Sequence, residues 1–170
     1  MANKKIYRWI ALGAAVLALL ALIMAFVPTV KIQLTASEWK NFSAFSVAFG
    51  SVISTTGGTA KFNFNFVGFL ALVFFIPGFV LAIVAAAKSE GKKAISIVSA
   101  VFLILSGFLM FLLLNVCSII SISPYGTVNE KLSKYVEAGM VKKASGSVLY
   151  GVMALLSGVA SIVSAVFNKN

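Results

Sequence analysis

The chain has 170 residues, of which 61% are hydrophobic and only 11% are charged. Because a water-soluble domain carries about a quarter charged residues, this composition excludes a soluble globular domain and a disordered chain. Its single cysteine excludes a disulfide scaffold. A mean hydropathy of +1.05 indicates an integral membrane protein. The chain has no His and no Asp, so most metal-dependent and acid–base mechanisms lack their side chains. We therefore predict no catalytic, cofactor-binding or metal-binding residues.

Four uncharged apolar runs are long enough to cross a hydrocarbon core of roughly 30 Å at 1.5 Å per residue. They predict a four-transmembrane-helix bundle, a membrane all-α fold in a single domain of residues 1–170. The predicted spans are residues 9–27, 66–87, 94–120 and 148–167. The first is interpreted as an uncleaved helix, since its apolar run is longer than that of a signal peptide. The third is longer than needed, so we expect it to tilt or its outer end to rise out of the lipid.

Basic residues are dense at the two termini and in the short connection of residues 88–93. They are sparse in the two long connections, residues 28–65 and 121–147. The positive-inside rule therefore predicts cytoplasmic termini, outer long connections and a multi-pass protein of the cell membrane. The net charge of +10 comes from basic residues that flank the spans, and we interpret these as contacts for anionic lipid headgroups and not for nucleic acid. The expected partners are the lipid bilayer and another membrane protein or a second copy of the chain.

Small residues recur at steps of three and four along the spans, which lets neighbouring helices approach closely. In the first and fourth spans the predicted packing residues are Ala14, Ala18, Ala21, Gly151, Ala154 and Gly158. A similar stripe runs through the second span. These stripes either close one bundle or reach a neighbouring chain.

Three residues of the spans form a possible hinge or polar site. Pro77 removes a helix hydrogen bond, so with Gly78 beside it we predict a kink in the second span. Asn115, near the outer end of the third span, is interpreted as an interhelical hydrogen-bond partner, with a substrate ligand as the alternative. The spans hold no ionisable residue, which argues against proton-coupled transport.

The first outer connection is patterned like a small antiparallel β-sheet. Alternation over residues 30–35 predicts a strand. Residues 35–38 fit a capping box, which predicts a helical turn carrying Trp39 and Phe42. A second strand is expected through residues 45–49, and Gly57-Gly58 predicts a hairpin.

The strand that returns from this hairpin places Phe62, Phe64 and Phe66 on one face, which gives a three-stranded sheet. In the second outer connection, a capping box at residues 127–130 and Gly139 predict an amphipathic helix over residues 128–138. The candidate interaction surface is aromatic: Trp39, Phe42, Phe45, Phe62, Phe64, Tyr125 and Tyr135. The second connection, the membrane surface or a partner protein is expected to cover it.

Four spans, a β-rich first outer connection and a shorter second one resemble the claudin-type tetraspan architecture. The resemblance covers the whole chain as topology, and it implies a helix bundle with a small extracellular sheet. The loop signature of that family is absent, because no Leu-Trp follows Trp39 and Cys117 has no second cysteine to pair with. The family's barrier function is therefore not carried over.

The leading functional hypothesis is a non-enzymatic membrane protein that acts by protein–protein contact through its outer β-rich connection. It would be an accessory subunit, a scaffold or a self-assembling component. The alternative is a small channel or a transporter of small molecules or lipid, formed by one chain or by an oligomer. This alternative rests on Pro77, Gly78 and Asn115. A membrane enzyme, using Glu130, Glu137 or Ser145, is the third hypothesis.

Overall fold

The computed structural model describes residues 2–55, 58–87, 93–122 and 130–167. Their elements follow in chain order: α1 (Ala2–Met24), β1 (Pro28–Gln33), β2 (Trp39–Ser43), α2 (Ala44–Phe49), β3 (Val52–Thr55), β4 (Gly58–Phe62), α3 (Phe66–Ala87), α4 (Lys93–Val116), β5 (Ser118–Ile122), β6 (Glu130–Lys131), α5 (Leu132–Glu137), β7 (Val141–Lys143) and α6 (Gly146–Phe167).

Four of these helices, α1, α3, α4 and α6, are long and apolar enough to cross a membrane. Helix α3 has the bounds that its apolar run predicts. Helix α4 ends at Val116, four residues earlier than predicted, because the stretch that follows pairs with β4 as strand β5. Helix α1 ends at Met24, before the strand that starts at Pro28. The prediction of a multi-pass membrane protein is confirmed to this extent.

The chain divides into two compact units. The helix unit contains residues 2–23, 70–87, 93–109 and 150–167 of the described chain. The sheet unit contains residues 24–55, 58–69, 110–122 and 130–149.

Small residues face the interior of the helix unit. The stripe residues Ala14, Ala18, Ala21, Gly151, Ala154 and Gly158 are all buried. A Cβ on Gly158 would lie 2.6 Å from a side-chain carbon of Ile104, so α4 and α6 are close there. Gly78 is in similar contact with Leu103. Close packing is what lets helices associate where lipid is as apolar as their side chains.

Hydroxyl groups tie neighbouring helices of this unit together. Ser99 donates to the carbonyl of Gly78 at 2.8 Å, and Ser157 donates to that of Ala14 at 2.7 Å. The Tyr7 hydroxyl donates to the carbonyl of Ala85 at 3.1 Å. The bonds satisfy polar groups that have no water to bind inside a bundle. Pro77 lies within α3, whose helical assignment continues past it to Ala87.

The sheet unit holds two antiparallel sheets where one is predicted. The first is three-stranded, in the order β2-β1-β7. The predicted helical turn at Trp39 is wrong, because residues 39–43 pair with β1 instead. Half of the capping box does form, since the Glu38 amide donates to Thr35 Oγ1 at 3.0 Å. That bond closes the turn between the two strands.

The strand predicted through residues 45–49 is also wrong, since these residues form helix α2. Ser43 Oγ accepts the Ser46 amide at 3.2 Å, which is an N-cap bond. Ala44, Val47 and Ala48 are buried, which is the spacing of one helical face. Alternating aromatic residues therefore gave a false strand signal here.

The second sheet is four-stranded, in the order β3-β4-β5-β6. The hairpin of β3 and β4 forms with Thr55 opposite Gly58, while Gly57 lies outside the described residues. Strand β4 stops at Phe62, and Phe66 already begins α3, so the predicted run of three phenylalanines on one face does not form. Helix α5 is shorter than predicted, and Gly139 with φ +76° follows it. The capping box at residues 127–130 lies largely outside the described residues.

Candidate functional site

The outward face of the three-stranded sheet carries an unusual arrangement of charge. Lys31 on the central strand β1 lies directly opposite Asn41 of β2 and directly opposite Lys142 of β7. All three side chains are exposed. Like charges placed directly across a strand pair destabilise a sheet. The three strands contain no acidic residue that could compensate them. We call Lys31, Asn41 and Lys142 the lysine face.

Trp39 borders this face and fixes one of its lysines. The Lys142 ammonium lies 4.5 Å from the centroid of the Trp39 ring, which is a cation–π contact. Trp39 is half-buried and pairs with Gln33 of β1. The ring thus holds the Lys142 ammonium in place on an exposed face of the sheet.

Two carboxylates of the sheet unit form ion pairs with nearby lysines. Glu38 pairs with Lys40 of β2 at 3.0 Å, and Glu130 of β6 pairs with Lys134 of α5 at 2.9 Å. The described residues of the sheet unit hold seven lysines and three glutamates. The unit therefore has a surplus of positive charge, and the lysine face is where two of its lysines are held side by side.

A second exposed feature of the sheet unit is a chain of five phenylalanine rings. Centroid distances are 5.5 Å for Phe26 and Phe45, 4.5 Å for Phe45 and Phe49, 5.7 Å for Phe49 and Phe69, and 5.5 Å for Phe69 and Phe64. All but Phe69 are exposed. Phe26 follows the end of α1 and Phe69 lies in the first turn of α3. The rings thus border the ends of two candidate spans, where lipid is the expected neighbour.

The predicted aromatic surface is therefore divided. Phe42 and Phe62 pack edge to face at 4.6 Å and are at most 2% exposed, so they belong to the interior and form no surface. Phe45 and Phe64 lie in the ring chain, and Trp39 borders the lysine face. Tyr125 lies outside the described residues.

Tyr135 is half-buried on α5. Burial raises the pKa of its hydroxyl, the charge of Glu130 raises it further, and Lys134 lowers it. The phenol therefore stays neutral at physiological pH, and we assign it no acid–base role.

The possible hinge and polar site is distributed over both units. Pro77 and Gly78 belong to the helix unit, whereas Asn115 belongs to the sheet unit and is exposed on α4. Asn65 makes a hydrogen bond to α4, because its Nδ2 donates to the Leu113 carbonyl at 3.4 Å. Asn65 Oδ1 also accepts the Gly68 amide at 3.1 Å, which caps α3. An asparagine just before an apolar run is a helix-start signal, so the sequence could have predicted Asn65 as the N-cap of α3.

Cys117 is buried beyond the end of α4, and burial raises the pKa of its thiol from 9.0 to about 12. A thiol that stays protonated is a weak nucleophile. Within the described ranges no group of three His, Cys, Asp or Glu side chains could hold a metal ion. Ser145, a residue of the membrane-enzyme hypothesis, is exposed, and the neighbouring Ser147 is buried.

No protein family, no curated protein and no solved structure matches this chain. Its sites are therefore interpreted from their own geometry.

Proposed function

We propose that this chain is a non-enzymatic four-helix membrane protein that acts by contact with another protein, and that the lysine face is the contact surface. The supporting observation is the register that sets Lys31 against Lys142 with no acidic residue in the three strands. An arrangement that weakens the free sheet becomes favourable when an anionic surface covers it. The partner is therefore a protein that presents carboxylates.

The charge of this face favours one mode of contact over the others. A symmetric dimer through the lysine face would place its lysines against the same lysines of the second copy. That repulsion disfavours self-assembly through this surface. An accessory subunit or scaffold that binds a different, acidic chain is the mode that the charge supports.

The orientation is part of the proposal. We place both termini in the cytoplasm and the sheet unit outside the cell membrane, as in the claudin-type arrangement, because basic residues are densest near the termini. A single cysteine at exposed Ser133, made in a Cys117→Ala background, tests this placement. A membrane-impermeant maleimide should label Ser133→Cys in intact cells. Labelling only after the membrane is opened would contradict it.

Native mass measurement after gentle extraction tests the contact itself. The expected result is a stoichiometric foreign chain that is retained by the native protein and lost from the double variant Lys31→Gln/Lys142→Gln. The matched control is Lys61→Gln/Lys131→Gln, which removes two exposed lysines from the other sheet. Binding should also weaken as salt concentration rises, since exposed charges are screened.

A lone monomer in the native extract would contradict the proposal. So would a complex that both double variants retain equally. A homo-oligomer would instead favour the channel or transporter alternative, which a flux assay in liposomes containing folded protein would then test.

A further inference from the structure

An open apolar groove runs between α1 and α3 within the helix unit. Leu12, Val16 and Leu19 line it from α1, and Phe79, Ile83 and Ala86 line it from α3. Its volume is about 350 Å³. Ala86 supplies only a methyl group, and this leaves room between the larger side chains.

A more polar cavity lies next to the groove. This second cavity of about 260 Å³ is lined by Arg8, Trp9, Leu12 and Ala86. Leu12 and Ala86 line both cavities, so the two lie next to each other. Arg8 is the single arginine of the chain and is exposed, and the Trp9 side chain is 73% exposed.

The length of the groove matches one leaflet of a membrane. Arg8 and Leu19 are eleven residues apart on α1, which is about 16 Å along a helix. Half of a hydrocarbon core of roughly 30 Å is about 15 Å. A cation at one end and apolar walls along that depth correspond to the headgroup and acyl chain of a single lipid.

We propose that this groove is a binding site for an anionic glycerophospholipid. One acyl chain lies between α1 and α3, and the phosphate is held by the Arg8 guanidinium, whose planar fork suits a phosphate. Trp9 lies beside the headgroup, where its amphipathic ring is favoured. Among the described residues the carboxylates are Glu38, Glu130 and Glu137, and all three belong to the other unit.

A helix from a partner protein is the competing occupant, and the volume disfavours it. A helix about 10 Å wide would cover this open groove from outside and would not lie within its volume of about 350 Å³, whereas a single acyl chain can lie within it. Such a helix would also need a carboxylate placed at the level of Arg8. An anionic lipid carries its phosphate at that level and its acyl chain beside the apolar walls.

Fluorescence quenching by brominated lipids tests this site in the full chain. The chain has two tryptophans, so Trp39→Phe leaves Trp9 as the reporter. Brominated phosphatidylglycerol added to the protein in detergent should quench Trp9 saturably, and unbrominated phosphatidylglycerol should reverse this. Brominated phosphatidylcholine should bind about tenfold more weakly, the ratio expected for one charge-assisted contact.

Two variants separate the two parts of the site. Arg8→Gln should reduce phosphatidylglycerol binding to the level of phosphatidylcholine. Ala86→Leu should reduce the binding of both lipids by filling the groove, and Ala15→Leu on the facing helix is its replacement if that variant does not fold by circular dichroism and gel filtration. The matched controls are Lys61→Gln for charge and Ala94→Leu for added bulk, both at exposed positions outside the groove.

Equal quenching by both lipids that neither Arg8→Gln nor the groove variants change would overturn the proposal. So would efficient disulfide dimerisation of a Val16→Cys variant in liposomes rich in phosphatidylglycerol, since that result would place a second helix in the groove. Trp39, which contacts Lys142 of the lysine face, is replaced only to leave Trp9 as the reporter. No partner protein is present in this assay, so its outcome is independent of the proposed protein contact.

Discussion

The hydroxyl oxygens of Ser106 and Tyr150 lie 2.8 Å apart in the interior of the helix unit. Ser106 also donates to the carbonyl of Ala71 at 2.7 Å. Since a serine hydroxyl has one proton, Tyr150 is the donor in the first bond. One serine on α4 thus connects α3 and α6 through a chain of two hydrogen bonds.

Substitution of these two residues should have unequal effects on stability. Ser106→Ala leaves the buried Tyr150 hydroxyl without its acceptor and should lower the free energy of unfolding by about 1–2 kcal/mol. Tyr150→Phe leaves Ser106 bonded to Ala71 and should cost about 0.6 kcal/mol, the average for such bonds in membranes. Unfolding by sodium dodecyl sulfate in mixed micelles measures both. Equal and additive losses would show that the chain of bonds is not coupled.

Two glycines should respond oppositely to alanine. A Cβ on Gly146 would collide with the backbone carbonyl of Val27 and lie 2.8 Å from that of Pro28, so Gly146→Ala should destabilise by roughly 1–3 kcal/mol. Gly13 lies on α1, and a Cβ added there has no neighbouring atom within 4 Å. Gly13→Ala should therefore raise the free energy of unfolding by up to about 1 kcal/mol. Thermal unfolding in detergent compares them. A neutral Gly146→Ala would refute the close approach.

The cap on α3 predicts a graded series at Asn65. Asn65→Ala removes the acceptor for the Gly68 amide and should cost about 1 kcal/mol. Asn65→Ser restores an N-cap acceptor but not the bond to Leu113, so it should recover most of that loss. Denaturant unfolding gives the order. If serine is no better than alanine, the bond to Leu113 is the more important of the two.

Burial of Cys117 predicts slow thiol chemistry and a defined pH effect. A maleimide should label the folded protein slowly and the unfolded protein fast. The folded pKa of about 12 lies above the ordinary value of 9.0. The unfolded state therefore loses its proton first, and the stability contributed by this group is complete below pH 9 and is lost as the pH rises towards 12.

The difference in unfolding free energy between the native chain and Cys117→Ala should therefore be constant below pH 9. Above that pH the native chain should lose stability relative to the variant. A difference that stays constant to pH 11, or rapid labelling of the folded protein, would place the thiol in contact with water.

The lysine face predicts a conflict between stability and binding. Lys31→Glu converts a like-charge pair with Lys142 into an opposite-charge pair and should stabilise the free chain by about 0.2–1 kcal/mol. The same change should abolish the proposed partner contact. Melting temperature and native mass measure the two effects. A variant that is less stable than the native protein would show that the two lysines do not repel each other.

The sequence was sufficient for the four long helices because each is an apolar run long enough to cross a membrane. It did not predict that α4 ends at Val116, since the residues that follow pair with a distant strand. It failed between residues 35 and 49, where residues 45–49 alternate like a strand but Ser43 caps a helix. The partners of β1 and β4 could not be foreseen either. Strands β7 and β5 lie far along the chain, and local periodicity does not encode which distant strand pairs with which.

The same limit applies to the candidate sites. The sequence identified Trp39 as part of a candidate interaction surface, but on a helical turn and not on strand β2. The juxtaposition of Lys31 with Lys142 depends on the register of β1 and β7. Likewise, the sequence alone indicates only that Arg8 and Trp9 lie at the basic end of a predicted helix. Only the packing of α1 against α3 shows the groove that lies next to them.

The pairing of β1 with β7 also constrains how the protein is made. Val30 and Lys143 are opposite each other in the sheet but more than a hundred residues apart in the chain. During synthesis β1 can pair with β2 at once, whereas β7 emerges only after α3 and α4 have been translated. Until then one edge of β1 has open hydrogen-bonding groups, the kind of edge on which unwanted strands add. The open edge of β1 therefore persists through much of the synthesis of the chain, and it is closed only when β7, the last strand of the described residues, pairs with it.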